Sequence, residues 1–202
     1  MKKIIKEMDV VFLLDRSGSM AGIEDDTIGG YNSYLTKQRN NKINTKITTV
    51  LFDDKYELLH DRKDIKEVKD ITKEDYYVRG CTALLDAIGI TITNLDKRVK
   101  DNKVLFVITT DGLENASREY NKDKVKSLIE KHPNWEFIYI GANIDSYNEG
   151  TSLGISKKNI ANYSKSKRGT KELFNTIGHL SECMCLEKNI DESWKEKLEQ
   201  TD

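Results

Sequence analysis

The stretch Asp9-Val-Val-Phe-Leu-Leu-Asp15-Arg-Ser17-Gly-Ser19-Met20 decides how the rest of this chain is interpreted. Its segment from Val10 to Leu14 contains no polar residue, so other parts of the chain must cover both of its faces. This pattern is typical of a parallel strand that lies between two layers of helices. The strand ends at Asp15, and hydroxyl side chains follow at two alternate positions, Ser17 and Ser19.

The three side chains after this strand carry oxygen atoms, the ligands that hard divalent cations prefer. In open α/β sheets, ligands bind at the carboxyl ends of the strands. Gly18 allows the loop to curl, so Asp15, Ser17 and Ser19 can converge and supply half of an octahedral Mg²⁺ shell. In a second interpretation the serines cap the next helix and Asp15 closes a turn. The motif alone does not decide between the two.

Two later segments carry further oxygen donors. Val104 to Ile108 is a second uninterrupted apolar strand, and Asp111 follows its end. If the two strands are neighbours, we expect Asp15 and Asp111 to lie about 5 Å apart at one edge of the sheet. Their charges would then repel without a cation between them, although Asp111 before a glycine also suits a turn. Thr82 precedes a helical stripe and is expected at or near its N-cap.

The remaining segments alternate between helical and extended patterns, which predicts an α/β fold with a parallel sheet and one antiparallel edge hairpin. Asp53 and Asp54, which follow a β-branched run, are assigned to the hairpin turn rather than to the metal site. Residues 61–79 are expected to form a loop with a short helical piece. Helices are predicted over residues 24–41, 84–95, 121–131, 145–153 and 170–185, and strands over 9–15, 44–52, 56–60, 103–111, 135–142 and 159–163.

Length and composition limit the class of protein. The 202 residues suit one domain, which we place at 1–186, followed by a charged tail or short helix at 187–202. With 33 basic and 34 acidic residues, the chain gives no electrostatic case for nucleic acid or an anionic membrane as a partner. No stretch has the roughly 20 apolar residues of a membrane span, and the first residues are too polar for a signal peptide, so we expect a cytoplasmic protein.

The three segments with oxygen donors resemble one known site. Asp15-Arg-Ser-Gly-Ser19, Thr82 in Gly-Cys-Thr-Ala-Leu-Leu-Asp86-Ala and Asp111 in Ile-Thr-Thr-Asp-Gly resemble the metal-ion-dependent adhesion site of von Willebrand factor type A domains. The resemblance covers about residues 8 to 180 and is nearest to small stand-alone prokaryotic and phage members. It implies a doubly wound, mostly parallel six-stranded sheet with one antiparallel edge strand and helices on both faces.

The resemblance also implies a metal and a partner. Ser17, Ser19 and Thr82 would supply hydroxyl oxygens, and Asp15 and Asp111 would bind directly or through water. The metal is expected to be Mg²⁺, with Mn²⁺ or Ca²⁺ as substitutes, and an Asp or Glu carboxylate of a protein partner would complete its shell. Glu114 and Asn115 are candidates for orienting these ligands, although polar residues are common in solvated loops. In some members the last helix shifts with the metal, which makes residues 170–185 a candidate moving element.

Three alternatives compete with a non-enzymatic metal-dependent binding domain. A haloacid dehalogenase-type phosphatase also places Asp after a strand near Mg²⁺, but it needs an acid two residues later, where this chain has Ser17. A scaffold with a vestigial site would need no metal. Cys81 at a helix start suits a thiol nucleophile only if one of His60, His132 or His179 lies near it. Otherwise Cys81, Cys183 and Cys185 are most simply reduced thiols.

Overall fold

A six-stranded sheet forms the centre of the computed structural model, which describes residues 7–40, 44–99, 102–188 and 190–200. Its spatial order is β3-β2-β1-β4-β5-β6. Only the pairing of β2 with β3 is antiparallel. The strands are β1 (Glu7–Asp15), β2 (Asn44–Phe52), β3 (Tyr56–Asp64), β4 (Lys103–Thr110), β5 (Trp135–Gly141) and β6 (Ile160–Asn162).

Helices cover both faces of this sheet. The α-helices are α1 (Glu24–Arg39), α2 (Leu84–Asp96), α3 (Lys122–Glu130), α4 (Ser146–Ser152), α5 (Lys167–Cys185) and α6 (Glu196–Glu199). Short 3₁₀ turns lie at Gly18–Met20, Lys157–Asn159 and Glu192–Lys195. The predicted α/β class, the mixed six-stranded sheet and its antiparallel edge strand are therefore confirmed.

The apolar run of β1 explains its central position. Val10, Phe12 and Leu14 face a core built with α1 and α5, whereas Val11 and Leu13 face a second core built with α2 and α3. All five side chains are buried. Since each face meets its own helical layer, the strand requires apolar residues at every position.

The region between β3 and α2 differs from its predicted form. β3 continues to Asp64, four residues beyond its predicted end, with register shifts against β2. From Ile65 to Ala83, a segment described throughout, the structure contains turns and no helix. Buried side chains anchor this segment instead, at Ile65, Val68, Ile71 and Tyr76. The few apolar residues of this segment are spaced irregularly, so its sequence shows neither the period of a strand nor that of a helix.

Other boundaries agree within a few residues. α5 begins at Lys167 rather than at 170, because Ser166 accepts a hydrogen bond from the Gly169 N–H and caps the helix. Residues 1–6, the predicted helix end at 41, and residues 189, 201 and 202 of the predicted tail lie outside the described residues. Within the tail, Trp194 and Leu198 are buried in the core beside α5. No described helix is both long and apolar enough to span a membrane.

Two adjacent glycines of α1 test the packing of that helix on α5. A Cβ on Gly30 would lie 2.3 Å from Cδ2 of the buried Phe174 ring, whereas a Cβ on Gly29 would meet no atom within 4 Å. We expect Gly30→Ala to lower the free energy of unfolding by about 1–3 kcal/mol, because the ring has little room to move. Gly29→Ala is the matched control and should raise it by roughly 0.5–1 kcal/mol through helix propensity. Urea unfolding of both variants checks the pair, and equal changes would contradict this packing.

Candidate metal centre

The topology brings the predicted site residues to one edge of the sheet. β1 and β4 are parallel neighbours, so their carboxyl ends lie side by side. Asp15 is the last residue of β1, Asp111 directly follows β4, and Thr82 lies just before α2. Ser17 and Ser19 belong to the turn that leaves β1. Four of the five residues are buried, and Ser19 is exposed.

Three hydroxyl oxygens lie within 4 Å of a common point beside Gly112. A Cβ built on Gly112 would lie 3.0 Å from Thr82 Oγ1, 3.1 Å from Ser19 Oγ and 3.8 Å from Ser17 Oγ. The two serine oxygens are 3.0 Å apart, and Ser19 Oγ donates to Asp111 Oδ1 at 2.5 Å. The turn, the helix entry and the end of β4 thus direct oxygen atoms into one small space.

Asp15 is held from two sides inside this edge. The Ser17 N–H donates to its Oδ1 at 2.7 Å, and Thr110 Oγ1 donates to its Oδ2 at 2.5 Å. Burial raises the pKa of Asp15 to about 6, despite these hydrogen bonds, which lower it. Tyr76 Oη donates to the Asp15 carbonyl at 2.6 Å. The carboxylate therefore has a fixed position and an unfavourable environment for its charge.

The contact of Thr110 with Asp15 depends on the strand register, which the sequence does not predict. β1 and β4 are neighbours, which is the condition for Asp15 and Asp111 to lie at one edge, and the ladder pairs Leu14 with Thr109. Thr110 therefore comes next to Asp15, and Asp111 lies one residue farther along. The apolar runs predict that both strands are buried, but they do not set this register.

Thr82 lies next to Ala83, the N-cap of α2, as expected, but neither Thr82 nor Ser17 makes a side-chain capping bond in the described structure. α2 begins after Ala83, and the Thr82 N–H donates to Asn115 Oδ1 at 2.9 Å. Glu114 takes the capping role, because its Oε2 accepts from the Leu85 N–H at 2.9 Å. Ser17 precedes the 3₁₀ turn without a side-chain capping bond in the described structure. The loop after β4 thus fixes Thr82, and the capping interpretation does not account for Ser17 or Thr82.

A buried ion cluster supports the turn after β1. Arg16, fully buried, donates from Nε to Asp53 Oδ2 at 2.9 Å and from Nη2 to Glu57 Oε2 at 2.7 Å. Arg79 Nε donates to the same Asp53 oxygen at 2.7 Å. Burial opposes the charge of Asp53, but hydrogen bonds from Arg79, the Lys55 N–H and Arg16 hold its pKa below the ordinary value. The assignment of Asp53 to a simple turn is therefore incomplete.

A lysine that sequence reasoning did not select also reaches this edge. Lys165 Nζ lies 2.9 Å from Asp111 Oδ2 and donates to the carbonyl of Ser19. Its place between β6 and α5 is far from the other site residues in sequence. No motif signals this contact, because it depends on where the connection between β6 and α5 lies in the folded chain.

Cys81 shows no thiol–histidine pair. It is exposed, and all three histidines contact other groups. His60 Nδ1 lies near Tyr31 Oη and Thr49 Oγ1, His132 bonds Asp96, and His179 Nε2 lies 3.5 Å from Cys183 Sγ. The thiol nucleophile considered from the sequence therefore lacks its base among the described residues.

The fold of this chain is similar to that of several solved structures. Proximal thread matrix protein 1 from the mussel byssus matches at 16% identity and a TM-score of 0.63, over 89% of this chain and 47% of that chain. The pilus adhesin SpaC from Lactobacillus rhamnosus GG matches at 13% identity and a TM-score of 0.71, over 88% and 30%.

A von Willebrand factor type A protein from Catenulispora acidiphila matches at 14% identity and a TM-score of 0.60, over 86% of this chain and 42% of that chain. This chain has a von Willebrand factor type A fold. It spans less than half of the length of each of these three structures. No protein-family model and no curated protein matches the sequence.

The side chains at the edge of this von Willebrand A-like sheet suit a hard cation better than zinc. Among the described residues, no three His, Cys, Asp or Glu side chains converge in a cluster that could hold a metal. The candidate set contains two carboxylates and three hydroxyls, all oxygen donors, and lacks the sulfur and imidazole ligands that zinc favours. The donor types and the shared space beside Gly112 therefore fit Mg²⁺.

Proposed function

We propose that this von Willebrand A-like domain is a non-enzymatic protein-binding module that depends on Mg²⁺. Asp15, Ser17, Ser19, Thr82 and Asp111 would hold the metal, and the metal would bind an Asp or Glu carboxylate of a partner protein. One observation carries the proposal: three hydroxyl oxygens from two chain segments face one point beside Gly112, next to Asp111.

The balance of charge explains why such a site would accept an outside carboxylate. Hydroxyl oxygens are neutral, so the two positive charges of the cation are offset only by Asp15 and Asp111, and only in part where a carboxylate binds through water. A divalent cation with three neutral ligands remains electrophilic toward one more acidic group. Mn²⁺ and Ca²⁺ take the same ligand types and are expected to substitute.

The ion pair between Lys165 and Asp111 favours a second candidate function, a metal-independent scaffold. The lysine ammonium already supplies a positive charge to Asp111. If that ion pair is permanent, the oxygen cluster is a structural remnant and binds no metal. The two candidates differ in one property, saturable binding of a divalent cation.

Calorimetric titration of Mg²⁺ and of Mn²⁺ into the chelator-treated protein tests the proposal. We expect saturable binding at one site in the wild type. Gly112→Ala should weaken it about tenfold or more, because the added methyl group enters the space that the three hydroxyls face. Gly29→Ala, where the methyl group meets no neighbour, is the control and should bind like the wild type. Absence of binding in the wild type, or equal binding by Gly112→Ala, would contradict the assignment.

The same variants extend the test to protein binding. Proteins that the wild type retains in Mg²⁺ should be released by a chelator and should not be retained by Gly112→Ala. Retention that persists in the chelator would favour the scaffold instead.

A further inference from the structure

We propose that Lys165 acts as an internal cation at the candidate metal centre and must leave Asp111 before a divalent cation binds. This inference rests on the proposed function, and it concerns how access to the centre is regulated. It assigns a role to a residue outside the five candidate ligands.

The contacts of Lys165 place its charge among those ligands. Its Nζ pairs with Asp111 Oδ2 at 2.9 Å and donates to the carbonyl of Ser19. The Asp111 side chain is 2% exposed and that of Lys165 is 20% exposed. An ion pair in this environment is only weakly screened by solvent. The lysine thus contacts two of the five candidate ligand residues.

Electrostatics makes the ammonium and the metal competitors. A carboxylate that is removed from water is stabilised by a nearby cation, and Asp111 has the Lys165 ammonium in this position. A divalent cation on the same carboxylate would repel the ammonium strongly at contact distance. Arg16 does not supply the charge, because its guanidinium is directed to Asp53 and Glu57. Metal binding must therefore include the cost of displacing Lys165.

The position of Lys165 in the chain indicates which part of the structure would lose a contact when a metal displaces this lysine. The residue lies between β6 and α5, and the next residue, Ser166, caps α5. Tyr163, two residues earlier, is tied to the sheet by its N–H bond to the Gly141 carbonyl at 2.9 Å. Only a short connection therefore separates a fixed strand from a capped helix. Release of Lys165 would remove a contact between that connection and the turn after β1.

Titration of Mg²⁺ and Mn²⁺ into three variants tests the competition. Lys165→Met keeps the length of the side chain and removes its charge, so its affinity should rise about tenfold or more above the wild type. Lys165→Arg keeps a charge and should remain close to the wild type. Lys167→Met removes an exposed lysine two residues away and should change little.

A chemical measurement on the unmodified chain provides a second test. Reductive methylation followed by mass spectrometry reports how accessible each lysine amine is. We expect Mg²⁺ to increase the methylation of Lys165, because its amine leaves Asp111, and to leave that of Lys167 unchanged.

The outcomes separate this inference from the proposed function. Suppose that the wild type binds Mg²⁺, that Lys165→Met binds it no more tightly, and that metal leaves the methylation of Lys165 unchanged. The proposed competition is then wrong, whereas the proposed metal site is supported. If Lys165→Met binds Mg²⁺ and the wild type does not, the competition is supported, but the metal-dependent function proposed for the unmodified chain is wrong. If no form of the protein binds either metal, both proposals are wrong.

Discussion

Asp15→Asn is expected to change metal affinity and stability in opposite directions. The amide cannot supply the negative charge that the cation requires, so Mg²⁺ affinity should fall by about a hundredfold or more, since even residues that only support ligands cost up to that much. In chelator at neutral pH, the same variant should unfold less readily than the wild type. The reason is that burial raises the pKa of Asp15 to about 6, so its ionised form is unfavourable in the folded protein.

The pH dependence follows from the same pKa. Between about pH 4 and 6 the folded protein holds a proton at Asp15 that the unfolded chain has released, so ionisation of this residue lowers stability as the pH rises through that window. Above pH 6 the penalty is constant, roughly 3 kcal/mol. Asp15→Asn carries no such penalty, so the difference in unfolding free energy between variant and wild type should grow from pH 4 to 6.

Urea unfolding in chelator across that pH range, together with calorimetry in Mg²⁺, measures both effects. Asp54→Asn is the matched control, because Asp54 is an exposed carboxylate of the β2–β3 turn. It should leave both quantities nearly unchanged. If Asp15→Asn binds Mg²⁺ like the wild type, Asp15 is not a metal ligand.

The second large effect is expected for Asp53→Ala. This carboxylate accepts hydrogen bonds from both Arg16 and Arg79, and the side chains of Arg16 and Asp53 are 0% exposed. Its removal leaves a buried guanidinium with Glu57 as its remaining carboxylate partner. We expect the free energy of unfolding to fall by about 3–5 kcal/mol. Because Arg16 lies between Asp15 and Ser17, the variant should also bind Mg²⁺ more weakly.

Asp54→Ala separates this loss from a general effect of changing the turn. The exposed neighbour should alter stability by less than about 0.5 kcal/mol. Chemical unfolding of the two variants side by side gives the comparison. A change below about 1 kcal/mol in Asp53→Ala would mean that the buried cluster is not needed to hold the turn.

Much of this fold could be predicted from the sequence, because its central strands are nearly free of polar residues. β1 and β4 must be covered on both faces, and that requirement alone predicts a parallel sheet between helical layers. The edge strand β3 is harder to predict from the sequence. β3 is only partly buried and its last four residues, 61–64, are all charged, so the sequence predicts its end at His60 instead of Asp64.

The candidate site divides in a similar way. Its proposed ligands lie directly after strands or before a helix, and strand ends are visible in a sequence. Thr110 and Lys165 became evident only in three dimensions, because one depends on strand register and the other on the packing of a distant loop. The ion pair of Arg16 and Asp53 also became evident only in three dimensions, because neither residue type predicts a buried ion pair.

The two borders of the sheet restrict how this molecule can associate. β3 has a shifted register against β2, a residue with positive φ at Arg62 and the charged run Asp61-Arg-Lys-Asp64. The opposite border, β6, is only three residues long. Short, irregular and charged border strands are poor templates for an added strand. Both borders therefore protect the sheet against amyloid-like growth and are poorly suited to capture an extended peptide.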